Sequence, residues 1–269
     1  MASDVRALIL TGFGLNCEAE SARAFELAGA VAEQVHLNDL LDGRRRLEAF
    51  HILFVIGGFS FGDHIASGRV LANRLKRRLA EPLQRFIADG KLILGVCNGF
   101  QVLVKLGVLP GLEGDYRRQT TTLTWNDTGL FRDAWVHLAV EPRSPCVFTR
   151  GIRRLYLPVR HGEGKFLALD GVLGRLESEG LVACRYADPA TGQPTQAYPH
   201  NPNGSAASVA GICDPTGRLF GMMPHPEAYL FPWNHPHYAR EAIAGDPPAE
   251  GGGVAIFRNA VAFARENLL

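Results

Sequence analysis

Cys97 stands in the stretch GVCNGFQ (95–101), with Gly95 ahead of it and Gly99 behind. The apolar run KLILGV (91–96) leads into it, and the helical pattern GFQVLVKLG leads out. A cysteine between a buried strand and a helix start lies at the carboxyl end of the strand, where open α/β sheets place their ligands. Glycines on both sides admit neighbouring backbone to a tight corner, the arrangement of nucleophile elbows of the G-x-S-x-G type, here with sulfur as the nucleophile. A helix N-terminus directed at the sulfur favours thiolate, and the free N–H of Asn98 can donate to an oxyanion. A lone cysteine in such a place is ordinarily a small core residue, so the chemistry needs partners.

MMPHPEAY supplies them. His225 and Glu227 are separated by one proline, directly after the strand-like RLFGMM, and Pro224 and Pro226 stiffen the turn that carries both. With Cys97 they form a coherent acyl-transfer set in which sulfur attacks, His225 moves the proton and Glu227 orients the imidazole. A second glycine turn, VIGGFSFGDH, also follows an apolar run and offers the backbone N–H groups of Gly57 and Gly58 as oxyanion donors. Gln101 falls one helical turn after Cys97 and can face the same pocket.

The elements around these residues follow from periodicity. The first half alternates apolar runs (7–11, 31–37, 51–58, 91–96) with helical patterns, among them EAESARAFELAG and one long stretch from about 66 to 89. That alternation predicts a parallel sheet wrapped by helices. The second half carries strand-like segments at 134–142, 153–159, 181–187, 209–214 and 218–224, separated by turn residues, before the closing helical pattern GVAIFRNAVAFAREN. The expectation is one α/β domain over 1–269 with added β structure in its second half. Two stretches rich in proline and glycine, 188–208 and 228–253, are expected to be loops, the second a functional or partner-facing insertion.

Composition narrows the function. Hydrophobic residues make up 46% and charged residues 20%, and the formal net charge is +1, which gives no general attraction to nucleic acid or membrane. The basic clusters GRRRL (43–47) and RLKRR (74–78) sit in amphipathic patterns and read as solvated helix faces. Five scattered cysteines without a CxxC pair read as free thiols, and no apolar run reaches membrane-spanning length, so a cytoplasmic protein is expected. No G-x-x-x-x-G-K-[ST] cradle is present, so activation of an acceptor by nucleotide falls to another chain. His235 and His237 lack neighbouring acidic or cysteine ligands and read as loop residues, so no metal is expected. Asn16 and Cys17 read as a helix entry, with Asn16 a candidate cap.

G-x-C-x-G-x-Q at 95–101, the upstream Gly-Gly turn and the late His-Pro-Glu resemble the class I, or triad, glutamine amidotransferases. The fold that this resemblance implies is a flavodoxin-like, doubly wound, mostly parallel sheet. Together with GFGLNCEAE, GGFSFGD, LGVLPG, HGEGKF, NPNGS, VAGICD and GMMPHPE, the motifs resemble the family of glutaminase subunits of phosphoribosylformylglycinamidine synthase over roughly residues 7 to 230. The resemblance implies hydrolysis of the L-glutamine side-chain amide through a thioester on Cys97. Ammonia would pass to a formylglycinamidine synthetase subunit of this purine-biosynthetic ligase, and a small third subunit would be a further candidate member of the complex. ATP and magnesium would belong to the synthetase, leaving this chain without a cofactor.

By the same resemblance Cys97, His225 and Glu227 form the triad, the N–H groups of Gly58 and Asn98 line the oxyanion hole, and Gly57, Gln101, His161, Gly162 and Glu163 lie near the bound glutamine. On residue chemistry alone HGEG is only a polar glycine turn, and His161 is ordinarily a structural histidine. Ile56 stands where the family has proline before the Gly-Gly turn, and the chain carries an insertion after Glu227 that includes WNHPHY. Two other readings stay open on the residues: a triad hydrolase serving different chemistry on the same sheet, and a non-catalytic scaffold dominated by residues 228–253.

Overall fold

The computed structural model describes residues 4–245 and 247–269. Residues 1–3, the start of the expected domain, and Asp246, inside the expected insertion, lie outside the described residues. The first half runs β1 (Arg6–Thr11), α1 (Glu18–Leu27), β2 (Val31–His36), α2 (Leu37–Leu41), β3 (Ile52–Val55), α3 (Arg69–Arg78), α4 (Ala80–Ala88), β4 (Leu92–Val96) and α5 (Asn98–Leu106). It continues through β5 (Thr121–Thr124), β6 (Arg132–Val140), β7 (Arg154–His161), β8 (Lys165–Ala168), α6 (Val172–Ser178), β9 (Cys184–Ala187), β10 (Val209–Cys213), β11 (Leu219–Met222), α7 (Tyr238–Ala244) and α8 (Val254–Asn267).

Nine strands form one sheet in the order β2-β1-β3-β4-β11-β10-β9-β6-β7. The pairings from β2 to β11 are parallel, and those from β11 to β7 are antiparallel. The core is thus the expected doubly wound parallel sheet, and the added β structure of the second half extends it as an antiparallel wing. β3 and β4 are buried at every residue because helices cover both faces, which is why their sequences are continuously apolar. Phe54 meets Phe25 of α1 and Phe257 of α8 edge-on, at centroid distances of 5.8 and 5.9 Å. Its neighbours Leu53 and Val55 turn the opposite way and line an apolar layer with Leu75, Leu83 and Leu103 from α3, α4 and α5.

Several local expectations are corrected. The helical stretch 66–89 is broken at Leu79, whose φ of −127° leaves the helical region. Pro82 has no N–H to return to the Arg78 carbonyl and is tolerated only in the first turn of a new helix. The 228–253 segment is not all loop, because it contains α7 and a short 3₁₀ turn at Pro232–Asn234. Its His235 ring packs against Tyr229, Trp135 and Tyr156 at 5.4–5.6 Å, an aromatic seat rather than a solvated loop. GRRRL is solvated but forms a turn after α2 and not a helix face, whereas the basic residues of RLKRR do lie on the exposed side of α3. β5 and β8 pair as a separate antiparallel ribbon that the alternation did not predict. The cap of α1 is Cys17 and not Asn16, and no side chain caps it. All five cysteines are free and buried, and among the described residues no helix is long and apolar enough to cross a membrane.

Candidate active site

The ends of three adjacent parallel strands meet at one edge of the sheet. β4 ends at Val96 and β11 at Met222, paired residues in the register, so Cys97 and the turn bearing His225 leave the sheet side by side. The Cys97 N–H donates to the Met222 carbonyl at 2.8 Å and ties the two turns together. Cys97 itself has φ 51° and ψ −108°, a conformation unusual for a residue with a Cβ, and caps α5. The corner closes because Gly99 has no side chain: a Cβ there would lie 1.7 Å from the Val55 carbonyl oxygen. The sequence-derived elbow therefore has a direct steric cause, the helix start pressed against the end of β3.

His225 and Glu227 are buried, and His225 Nδ1 lies 2.5 Å from Glu227 Oε1. Among the described residues His225 Nε2 and Glu227 Oε2 have no hydrogen-bond partner, which leaves the outer ring nitrogen available to a reacting group. Burial opposes charge on the imidazole, but the Glu227 carboxylate and the Cys97 sulfur outweigh it and hold His225 well above the usual histidine range. The Cys97 sulfur lies 3.5 Å from the Arg160 carbonyl, so the last residues of β7 form the opposite wall.

Gly57 is buried and Gly58 half-buried at the end of β3, with Gly58 at φ 138°. Neither the Gly58 nor the Asn98 amide donates to a backbone carbonyl among the described residues, so both remain available for an anion. The Asn98 side chain links the two turns, since its Oδ1 accepts from the Ser60 N–H at 3.4 Å and its Nδ2 reaches Gln101 Oε1 at 3.0 Å and Asp63 Oδ1 at 3.2 Å. Gln101 donates to the Glu163 carbonyl at 2.7 Å, so the HGEG turn is held against α5. The Glu163 carboxylate accepts from the Ser67 N–H with both oxygens, at 3.2 and 3.1 Å. Gly162 is half-buried, and its carbonyl accepts from the Asn126 N–H at 2.9 Å.

His161 is buried beside His225 in a network of amides. Its Nδ1 faces Asn126 Oδ1 at 3.1 Å and its Nε2 faces Asn203 Nδ2 at 3.4 Å, which fixes a neutral tautomer with the proton on Nδ1. Burial and the charge on His225 push its pKa down to about 3. Both ring nitrogens are therefore engaged within the protein.

Sequence reasoning missed part of this shell. Asn126, Asn203 and Ser67 brace the HGEG turn, and Lys105, buried in α5 with its Nζ on the Leu123 carbonyl, is pushed by burial down to about 8 against the opposing pull of Glu163. The larger omission is Cys17. Its sulfur, a ring nitrogen of His225 and a carboxylate oxygen of Glu227 all lie within 4.8 Å of one another, and burial raises its thiol to about 11. His235 and His237 do not join any group of three metal-ligand side chains among the described residues. GFGLNC and NPNGS were visible as motifs, but nothing in their composition gave them a place beside His225 and His161.

Residues 4–264 match the CobB/CobQ-like glutamine amidotransferase domain. Phosphoribosylformylglycinamidine synthase subunit PurQ of Dehalococcoides mccartyi is 47% identical over 98% of this chain and 99% of its own length. The chain belongs to the PurQ family. A second PurQ, from Methanococcus maripaludis, is 41% identical over 96% of this chain and 97% of its own. A chain in the structure of PurLQS from Thermotoga maritima superposes with a TM-score of 0.70 at 26% identity, covering 97% of this chain and 99% of that one. In this chain the strand-end cysteine, the Gly-Gly turn and the His-Pro-Glu turn meet on one sheet edge.

Proposed function

We infer that this chain is the glutaminase subunit of a phosphoribosylformylglycinamidine synthase. Membership of the PurQ family carries that reading, and the meeting of Cys97 with the His225–Glu227 pair at adjacent strand ends supports the chemistry. Cys97 Sγ attacks the side-chain amide carbon of L-glutamine, and the amide oxygen becomes an oxyanion that draws on the Gly58 and Asn98 N–H groups. His225, favoured as imidazolium by Glu227, protonates the departing nitrogen as the C–N bond breaks and ammonia leaves. Water then attacks the Cys97 thioester while His225 takes a proton from it, the C–S bond breaks, and glutamate leaves with the sulfur and the imidazolium returned to their starting state. Gln101 and the HGEG turn, His161 to Glu163, hold the wall of the glutamine pocket, and Gly57 fixes the approach to the oxyanion turn.

The ammonia goes to a formylglycinamidine synthetase subunit, which uses ATP and magnesium to convert the acceptor amide to an amidine. A small third subunit joins them, and the complex works in the cytoplasm. Exposed apolar side chains near the pocket support a partner on this face: Phe59 and Phe131 lie 6.1 Å apart, and Ile65 is 90% exposed.

Glutamate release is measured with the chain alone and with the synthetase subunit, ATP, magnesium and acceptor. Strong stimulation by the loaded partner is expected. Cys97→Ser should abolish glutamine-dependent synthesis by the complex while ammonia-dependent synthesis persists. Loss of both activities would count against this reading, and turnover unaffected by the partner would move the chain to another pathway.

A further inference from the structure

The segment between β1 and α1 enters the site from the side opposite Cys97. In the sheet order β1-β3-β4, the loop after β3 has residues 12–17 on its β1 side and the Cys97 turn on its β4 side. Leu15 and Gly58 form an isolated antiparallel bridge in which the hydrogen bonds belong to their neighbours. The Asn16 N–H donates to the Gly57 carbonyl at 3.3 Å, and the Phe59 N–H donates to the Gly14 carbonyl at 2.8 Å. The Gly57–Gly58 peptide is planar and trans, so its C=O and N–H point in opposite directions. With the carbonyl drawn to Asn16 on the β1 side, the Gly58 N–H is turned to the β4 side, where Cys97 and Asn98 stand.

We propose that the Asn16 backbone N–H is the positioning group that sets the Gly58 amide as an oxyanion donor, an inference that rests on the glutaminase reading above. Contact distances support it independently: a Cβ on Gly58 would fall 2.6 Å from the Gly14 carbonyl oxygen, 2.7 Å from Leu15 Cα and 2.9 Å from the Asn16 nitrogen. The segment thus lies close against Gly58 and leaves no room for a side chain on the turn. The same segment ends at Cys17, beside the base and acid, so one piece of chain backs both halves of the machinery.

The test separates the carbonyl-addition step from simple reactivity of the sulfur. Addition to glutamine develops an oxyanion, whereas alkylation of Cys97 by iodoacetamide displaces iodide at a saturated carbon and develops none. Asn16→Pro removes the N–H, and Gly58→Ala displaces the turn. Both are assayed as the complete chain in complex with the synthetase subunit. Glutamine kcat should fall about a hundredfold, the size expected for losing one oxyanion donor, while KM and the rate of Cys97 alkylation change less than about threefold. Parallel loss of turnover and alkylation in both variants would overturn the proposal and indicate a collapsed pocket. An equal loss in Asn16→Ala, which keeps the N–H, would overturn it by assigning the effect to the side chain. Wild-type complex that neither turns over glutamine nor alkylates at Cys97 would instead sink the reading of function beneath it.

Discussion

His161 and His225 are neighbours, each only 2% exposed, and their protonation is driven in opposite directions. Both lose water to a similar extent, a change that disfavours the charged ring. Among the described residues the ring nitrogens of His161 meet the neutral amides of Asn126 and Asn203, and burial with the charge on His225 pushes it down to about 3, whereas His225 has the Glu227 carboxylate at 2.5 Å and is held well above its usual range. The partner, not the depth, decides the charge. One ring is a fixed strut, and its neighbour is the proposed proton carrier.

Removing the carboxylate is the strongest way to break this contrast. Glu227→Gln keeps the shape but should lower the His225 pKa and reduce glutamine turnover by roughly 10³-fold or more, as expected when a triad loses its orienting acid. Imidazole nitrogen shifts followed against pH would check it. A His225 that stays protonated at neutral pH in this variant would show that something other than Glu227 holds the charge.

The two rings should also leave opposite marks on stability. The folded His161 refuses a proton that the unfolded chain accepts below about pH 6.5. Its contribution is therefore complete above that value and declines as pH falls towards about 3. His225 works the other way: its folded pKa is raised, so its contribution is present below about pH 6.5 and declines as pH rises through the folded value. Each limb has a slope of at most about 1.4 kcal/mol per pH unit. Urea denaturation across pH should show the acid limb flattened in His161→Gln and the alkaline limb flattened in Glu227→Gln. An acid limb unchanged in His161→Gln would mean that other groups set it.

A smaller effect sharpens the role of the amides. Asn126→Ala leaves the His161 Nδ1–H and the Gly164 N–H without their shared acceptor and should cost about 1–3 kcal/mol in denaturation, with His161 still neutral because burial remains. If His161 instead titrated near neutrality in this variant, water would have entered and the depth of the site would rest on Asn126.

These contrasts also mark what a sequence discloses. The strand–cysteine–helix corner was legible because glycine, cysteine and periodicity all act locally, and the Gly99 contact with Val55 is the physical reason for the pattern. The parallel core was legible because double-sided burial writes itself as uninterrupted apolar runs in β3 and β4. The break at Leu79 was missed because a proline early in a new helix keeps the helical periodicity on both sides. The aromatic seat of His235 and the place of Cys17 were missed because each depends on residues far apart in sequence, such as Trp135 with His235 and Cys17 with His225. Nothing in GFGLNC states that its backbone will meet the turn after β3. That meeting is decided by the order of strands in space, and the order was open until the sheet was seen.

β11 is the last strand made and the fifth across the sheet, wedged between β4 and β10. During synthesis the cysteine corner and its glycine turn emerge long before the strand that leads into His225. Until β11 docks, β4 has a bare edge and the wing has nothing to close against, so the final pairing is long-range and slow to form. A chain stopped before β11 would hold Cys97 without His225. Readiness for chemistry thus waits on the strand that fills the middle of the sheet.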